Sequence, residues 1–144
     1  MNLLGNGLDS AGLHEERLHD DALRVKESEL SLRRRLGDPE TIILVVQGNL
    51  ASTYQRLGRS GQAHSMRRDV YFGCLKLYGK EHRETLREAI NYAASLVNLE
   101  HYQEAKALLR KAMPAARRVL GEGHDITLRM RLSYAMALNR ADEV

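Results

Sequence analysis

The sequence predicts an all-α protein, an α-solenoid of antiparallel helical hairpins. Gly37, Gly79 and Gly121 recur at intervals of 42 residues, each inside a similar phrase, and a fixed period of this length indicates stacked helical repeats. The chain also contains only two prolines and is rich in alanine, leucine, arginine and glutamate, which favour helices. Finally, its apolar residues recur three and four positions apart, which is the spacing of one helix face.

Each 42-residue unit is expected to contain two helices, because a short break interrupts the apolar pattern midway. In the first unit, Leu50, Tyr54 and Leu57 step by four and three along one helix face. When the next unit is laid over the first without gaps, Ala51 aligns with Ala93, Leu44 with Leu86 and Leu57 with Leu99. The predicted helices span about residues 18–36, 41–57, 62–78, 84–99, 103–120 and 126–140.

The recurring glycines are predicted to end helices, because glycine adopts a left-handed conformation after the last helical turn without a steric penalty. Arginine or lysine residues precede each of these glycines, where they oppose the negative end of the helix dipole. The segment 38–40, Asp-Pro-Glu, has the residue types of a helix start. Asp125 is predicted to cap the last helix.

The composition indicates a folded, soluble chain. Of its 144 residues, 43% are hydrophobic and 28% are charged, which argues against wholesale disorder. Cys74 is the single cysteine, so an intrachain disulfide is excluded. The longest apolar run, residues 42–46, is too short to cross a bilayer. We therefore expect a cytoplasmic protein with no membrane partner, and the net charge of +3 is weak for a nucleic-acid binder.

The two ends of the chain depart from the repeat pattern. Residues 1–17 contain three glycines, which disfavour a helix, so this segment is expected to be degenerate or partly disordered. Residues 142–144 are expected to form a short tail after an array that spans residues 18–141. The last helix keeps an apolar face without a predicted partner, formed by Leu128, Leu132, Met136 and Leu138. Because solenoid ends normally carry a polar cap, this face predicts a longer array or self-association.

The positions that recur in each unit form a family phrase. They are Asn49-Leu50-Ala51 with Tyr54, Asn91-Tyr92-Ala93 with Leu96, Tyr102 with Glu104 and Ala105, His82 with Thr85, and His124 with Thr127. On these residues, the chain resembles tetratricopeptide repeats over about residues 37–138, in particular the 42-residue repeats of kinesin light chains. The resemblance implies a right-handed superhelix whose first helices line a concave surface that binds peptides.

No constellation of residues predicts catalysis or metal binding. The two histidines of "HEERLH", residues 14–19, are five apart, whereas a zinc-protease pair needs a spacing of four. His82 and His124 are 42 residues apart, so the repeat explains them. Cys74 has apolar neighbours and is interpreted as a small buried hydrophobic residue. We therefore predict a protein that is not an enzyme and has no cofactor and no metal.

Basic residues cluster on the predicted second helices, in the segments 33–35, 67–68 and 117–118. The resemblance implies that these helices lie on the outer, convex side. Because aromatic residues for base stacking are sparse, we interpret the clusters as a solvated outer face. A nucleic-acid-binding solenoid stays open as an alternative function.

The resemblance also implies which residues of the first helices face the groove. The apolar or small ones include Val45, Gly48, Ser52, Ile90, Ala94, Val97, Leu132 and Met136. For Ile90, Val97 and Leu132, packing against a neighbouring hairpin is an equally supported interpretation. The predicted peptide-binding residues are Asn49, Gln55, Arg56, Arg87, Asn91, Asn98, Arg129, Asn139 and Arg140.

These polar residues predict the chemistry of the ligand. Arginine binds carboxylates with two parallel hydrogen bonds, and asparagine pairs with a peptide backbone through its donor and its acceptor. We expect a scaffold that binds a protein or peptide with acidic residues and apolar anchors. A structural module that forms homo-oligomers through exposed terminal helices is a second alternative.

Overall fold

The computed structural model describes residues 3–142, with side chains described from Ser10 onward. Every regular element in this range is a helix, so the predicted all-α class is confirmed. The six helices are α1 (Leu3–Leu36), α2 (Glu40–Arg56), α3 (Ser60–Tyr78), α4 (Arg83–Asn98), α5 (Tyr102–Leu120) and α6 (Asp125–Asp142). None of these helices is both long and apolar enough to cross a membrane.

Each helix packs against the next one along the chain, and α4 also packs against α6. The pairs α2–α3 and α4–α5 are the two complete hairpins. In the core of the second pair, Leu86 of α4 and Leu109 of α5 lie in one buried cluster with Met130 of α6. Ala51 and Ala93, which stand at the same position of successive repeats, are both fully buried. These small residues let neighbouring helices approach closely.

The linkers between hairpins use positive φ angles, as their glycines predict. Gly79 and Gly121 follow α3 and α5 with φ angles of 87° and 92° and ψ angles of 170° and 160°. The chain thus leaves these two helices in an extended conformation that is essentially open to glycine alone. It then turns within four residues into the next first helix.

Histidines cap two of the first helices. The backbone N–H of Glu84 donates to Nδ1 of His82 over 3.1 Å, and the N–H of Ile126 donates to Nδ1 of His124 over 3.1 Å. The prediction that Asp125 caps α6 is therefore wrong, because the helix begins at Asp125 itself and the capping position falls on the preceding residue. Asp38 makes no cap either, since Pro39 precedes α2.

The amino-terminal segment differs from its sequence-based expectation. The glycines predict that residues 1–17 do not continue the helix, whereas α1 is one helix of 34 residues that begins at Leu3. Gly12 is exposed, and a Cβ built on it would have no other atom within 4 Å. The absence of a side chain at this position therefore costs the helix no packing contact. A glycine lowers helix stability by about 1 kcal/mol relative to alanine but does not forbid a helix. Residues 1–2 and 143–144 lie outside the described range, and the predicted tail therefore retains only Asp142, the last residue of α6.

The turns inside the two hairpins stand at equivalent positions but use different residues. Gly58 has a φ angle of 73° between α2 and α3, and Glu100, 42 residues later, has a φ angle of 62° between α4 and α5. A side chain disfavours this conformation by about 1–2 kcal/mol. The second hairpin therefore stores strain that the first avoids.

We expect Glu100→Gly to raise the free energy of unfolding by about 0.5 kcal/mol, because relief of the strain exceeds the entropy that glycine adds to the unfolded chain. Glu100→Ala is the matched control, since it removes the same carboxylate but keeps a Cβ. Urea denaturation of the three proteins measures the difference. Equal stability of the two variants would contradict the assignment of strain to this backbone angle.

Candidate functional site

A groove of about 510 Å³ opens between α2 and α4, and α3 forms its floor. These two first helices are fully described, and they share no pair of Cα atoms within 8 Å, whereas α4 and α6 pack directly against each other. The helix stack is therefore open between its first two hairpins and closed at the next step. This difference creates the groove.

The floor of the groove is largely apolar. Val70 and Cys74 of α3 are buried there, and a Cβ on Gly73 would come within 2.4 Å of Cδ2 of Leu44 in α2. Because Gly73 has no side chain, α3 approaches α2 closely on this side.

Cys74 confirms its interpretation as a small buried hydrophobic residue. Burial, together with the nearby carboxylates of Glu88 and Glu84, raises the pKa of its thiol to about 11. At neutral pH the sulfur is thus a protonated thiol, which is a poor nucleophile.

Alkylation of Cys74 by iodoacetamide at pH 8 should be at least about 100-fold slower than that of an exposed cysteine, because only the thiolate reacts. The rate should rise about tenfold for each pH unit up to about 11. Mass spectrometry follows the reaction, and labelling in urea serves as the control. Rapid labelling of the folded chain at pH 8 would contradict the burial of the Cys74 thiol.

An ion pair spans the groove floor and connects the two walls. Nη2 of Arg67, in α3, donates to Oγ of Ser52 in α2 over 2.8 Å. Nη1 of the same residue lies 3.9 Å from Oε2 of Glu88 in α4. Burial lowers the pKa of Arg67, and the carboxylate of Glu88 opposes this shift. The interpretation of Arg67 as part of a solvated outer face is therefore wrong, because α3 turns this side chain inward between the first helices.

The repeat pattern explains why this pair is unusual. Arg67 corresponds to Leu109 in the next repeat, and Glu88 corresponds to Met130. Both of those counterparts are completely buried in the core where α4, α5 and α6 meet. A charged pair thus occupies the two positions that hold an apolar pair one repeat later. The sequence pattern alone placed neither residue in a groove, although two charges at positions that are apolar in the next repeat are a visible signal.

Polar side chains on both walls face the groove. Asn49 and Ser52 line it from α2, and Arg87 and Asn91 line it from α4. Nδ2 of Asn91 donates to Oε2 of Glu88 over 3.3 Å. On the rim above Asn49, Ile42 and Val45 expose apolar surface. The groove therefore combines hydrogen-bonding groups on its walls with apolar surface on its rim and floor.

The electrostatic character of the groove is more balanced than the sequence predicts. Arg67 and Arg87 line it together with Glu84 and Glu88. Arg87 donates a hydrogen bond to Glu84, and its Nε lies 3.9 Å from Oε1 of Glu88. The pair with Glu84 is exposed, and exposed ion pairs contribute little to stability, so the Arg87 guanidinium can exchange this partner.

The structure brings three of the nine predicted peptide-binding residues together in this groove: Asn49, Arg87 and Asn91. Arg56 instead lines cavities between α1 and α2, and Gln55 is exposed beside it. Ile90 is buried in the core, so it packs against other helices rather than facing a groove. The remaining four predicted residues are exposed on α4 and α6, outside the groove: Asn98, Arg129, Asn139 and Arg140.

Stacked antiparallel hairpins with a groove between their first helices define a class, the helical-repeat solenoids. Residues 88–125 match the family model described as tetratricopeptide repeat. Among the solved structures that match is the crystal structure of BtubC (BKLC) from P. vanneervenii, with a TM-score of 0.66 and 15% sequence identity. A search of curated proteins found no match.

The match to BtubC covers 91% of this chain and 59% of that chain. Together with the match of residues 88–125, it confirms the predicted resemblance: the protein has the tetratricopeptide-repeat fold. Proteins of this fold are generally interaction scaffolds rather than enzymes. Among the described residues, no group of three or more histidine, cysteine, aspartate or glutamate side chains could hold a metal ion.

Replacing the ion pair by its counterparts from the next repeat tests its structural role. Arg67→Leu should lower the free energy of unfolding by about 3 kcal/mol, because it leaves the largely buried Glu88 carboxylate with only the half-exposed Arg87 as a cationic partner. The double variant Arg67→Leu/Glu88→Met should regain most of that loss. Urea denaturation of the two single variants and the double variant measures the coupling. If the losses in the two single variants simply add in the double variant, the pair does not act as a unit.

Proposed function

We propose that the protein is a non-enzymatic interaction scaffold that binds a peptide segment in the groove between α2 and α4. The separation of these two helices carries the proposal, because it leaves an open cleft lined from three helices. Tetratricopeptide repeats bind proteins or peptides, and a cleft of about 510 Å³ has the volume typical of ligand sites.

The apolar surface of the groove suits an apolar anchor residue on the ligand. Val45 and Ile42 expose their side chains on the α2 rim, and Val70 lies at the floor below them. Burial of apolar area on both partners contributes about 25 cal/mol per Å². One aliphatic or aromatic side chain of the ligand that covers this rim would make the largest favourable contribution to the free energy of binding.

The amide side chains on opposite walls suit the backbone of the ligand. Asn49 and Asn91 each carry a donor and an acceptor, and they project from α2 and α4 toward the same groove. An extended peptide has unpaired N–H and C=O groups that such amides can satisfy. This contact is independent of the ligand's sequence, so it fixes position rather than specificity.

The preference for an acidic ligand rests on Arg87. Its side chain is about half exposed and pairs with Glu84, which is also partly exposed. A carboxylate of the ligand can replace Glu84 with little loss, since exposed pairs contribute at most about 1 kcal/mol. Arg67 is held by Ser52 and Glu88 and therefore shapes the floor rather than binding the ligand's charge.

Fluorescence anisotropy with a panel of labelled ten-residue peptides tests the proposal. Each acidic peptide with one apolar anchor is matched to a version whose acidic residues are replaced by lysine. We expect Arg87→Glu to weaken binding of the acidic peptides about tenfold, because attraction becomes repulsion at the groove wall. Arg68→Glu is the matched control, since Arg68 is exposed on α3 and does not line the groove.

Equal affinity for acidic and lysine-substituted peptides would contradict the charge preference but not the binding site. Val45→Lys tests the site itself, because it places a charge on the apolar rim and should weaken every peptide that binds there. No affinity for any peptide would contradict the groove proposal. Binding to RNA or DNA with a steep salt dependence would instead favour the nucleic-acid alternative.

A further inference from the structure

We propose that copies of this chain associate head to tail, with α1 of one copy docking against α6 of another as the second helix of a hairpin. Two exposed apolar faces, one on each terminal helix, support this association. Neither face lines the groove between α2 and α4, so the association is independent of peptide binding.

The first face lies on α6, whose residues stand 42 positions after their counterparts in α4. Leu86 and Ile90 of α4 are 1% and 4% exposed, because they pack into the core formed with α5. Their counterparts on α6, Leu128 and Leu132, are 48% and 63% exposed. The side of α6 that corresponds to the covered side of α4 therefore has no second helix against it among the described residues.

The second face lies on α1, which stands at the position of a second helix. Its buried positions align with those of α3 at a shift of 41 residues, although the glycines that follow the two helices, Gly37 and Gly79, are 42 apart. Leu23, which packs against α2, then corresponds to His64, whose Nδ1 lies 3.0 Å from Oγ of Ser95 in α4. Leu30 supports this register, because it packs against α2, and Tyr71, its counterpart, stacks on Tyr92 of α4 with 5.6 Å between the ring centroids.

In this register, Val25 and Leu32 take the positions of Met66 and Gly73, through which α3 contacts its own first helix. Met66 packs on the cluster formed with α2, and Gly73 closely approaches Leu44 of α2. On α1, however, Val25 and Leu32 are 68% and 45% exposed. This helix thus exposes the face that a second helix normally buries against the first helix of its own hairpin.

The charges at the ends of the two helices favour this contact. The last 19 residues of α1, residues 18–36, equal α3 and α5 in length, and the earlier part of this 34-residue helix extends beyond the proposed contact. In an antiparallel arrangement, Arg35 at the end of α1 lies near Asp125 at the start of α6. At the opposite end, Asp20 already pairs with Arg59 of its own chain over 3.2 Å, and the exposed Arg140 of the other copy would join this exposed pair. The attraction between Arg35 and Asp125 therefore favours the antiparallel direction.

The hairpin formed by α4 and α5 has a similar ion pair at the corresponding end. Arg118, near the end of α5, pairs with Glu81, which lies just before α4. Arg35 is the counterpart of Arg118 in the register of α1. The α1 helix of a second copy therefore provides both the apolar residues and the arginine that α6 would contact in a complete hairpin.

Docking of this kind is heterologous, because the two contacting faces differ. Each copy in a dimer keeps one free face, so association continues into open chains rather than stopping at two. Sedimentation equilibrium should show an average mass that rises with protein concentration beyond that of a dimer. A mass equal to one chain at all concentrations up to about 1 mM, which corresponds to only about 4 kcal/mol of binding free energy, would overturn the proposal.

Two single substitutions separate the faces. Leu132→Glu blocks the α6 face and Val25→Glu blocks the α1 face, so each variant alone should sediment as a monomer. An equimolar mixture should form a one-to-one dimer and nothing larger, because each variant retains the face that the other lacks. Val119→Glu is the control, since Val119 is exposed on α5 outside both faces, and it should associate like the unmodified chain.

All three substituted residues are exposed, and circular dichroism checks that each variant keeps its helices. Leu128→Gln and Leu32→Gln provide a second pair of variants for any that fail to fold. A monomeric mixture would overturn the proposal, as would a single-face variant that still associates like the unmodified chain. Loss of association in the Val119→Glu control would also overturn it, since contacts outside the two faces would then be responsible.

Discussion

Each helix of this protein can bury its apolar stripe only against the helices that neighbour it in the stack. A single hairpin cannot enclose a core, so stability comes from contacts between successive hairpins. Leu86, Leu109 and Met130 illustrate the constraint, because they belong to three different helices and form one cluster. Fully buried alanines such as Ala93 and Ala105 keep those helices close. The steps of the stack differ in how completely they bury these apolar residues.

Between α2 and α4, a charged pair stands at positions where the next repeat has an apolar contact. Arg67 and Glu88 bridge the two first helices at positions where the next repeat has leucine and methionine. A charged pair is a weak source of net stability when it is partly buried, because desolvation offsets attraction. The open groove and this charged pair occur at the same step of the stack, where two charged residues stand at positions that are apolar in the next repeat.

The two terminal helices, α1 and α6, each keep an apolar face that no neighbouring helix among the described residues covers. Leu132 on α6 and Val25 on α1 are exposed at positions that the stack buries elsewhere. Apolar faces of this kind are typical of interaction surfaces. Peptide binding in the groove and association through the ends are thus two proposals with one physical basis. They use different faces, so substitutions can separate them.

The sequence alone determined the helical class, the 42-residue period and the tetratricopeptide resemblance. These features follow from local spacing, since a helix face and a terminating glycine such as Gly79 are visible in a few consecutive residues. Asn49, Arg87 and Asn91 could also be assigned to one surface, because the repeat gives each first helix the same orientation. The sequence likewise located the exposed apolar face of α6 through Leu128 and Leu132.

Only the tertiary structure decided how successive helices separate and rotate. The gap between α2 and α4, the inward direction of Arg67 and the one-residue shift of α1 depend on packing between helices, to which a period in the sequence is insensitive. The same holds for the histidine caps, because whether His124 or Asp125 caps α6 depends on where the backbone first turns. A repeated pattern shows which residues are equivalent, but the contacts across each interface determine how equivalent residues are used.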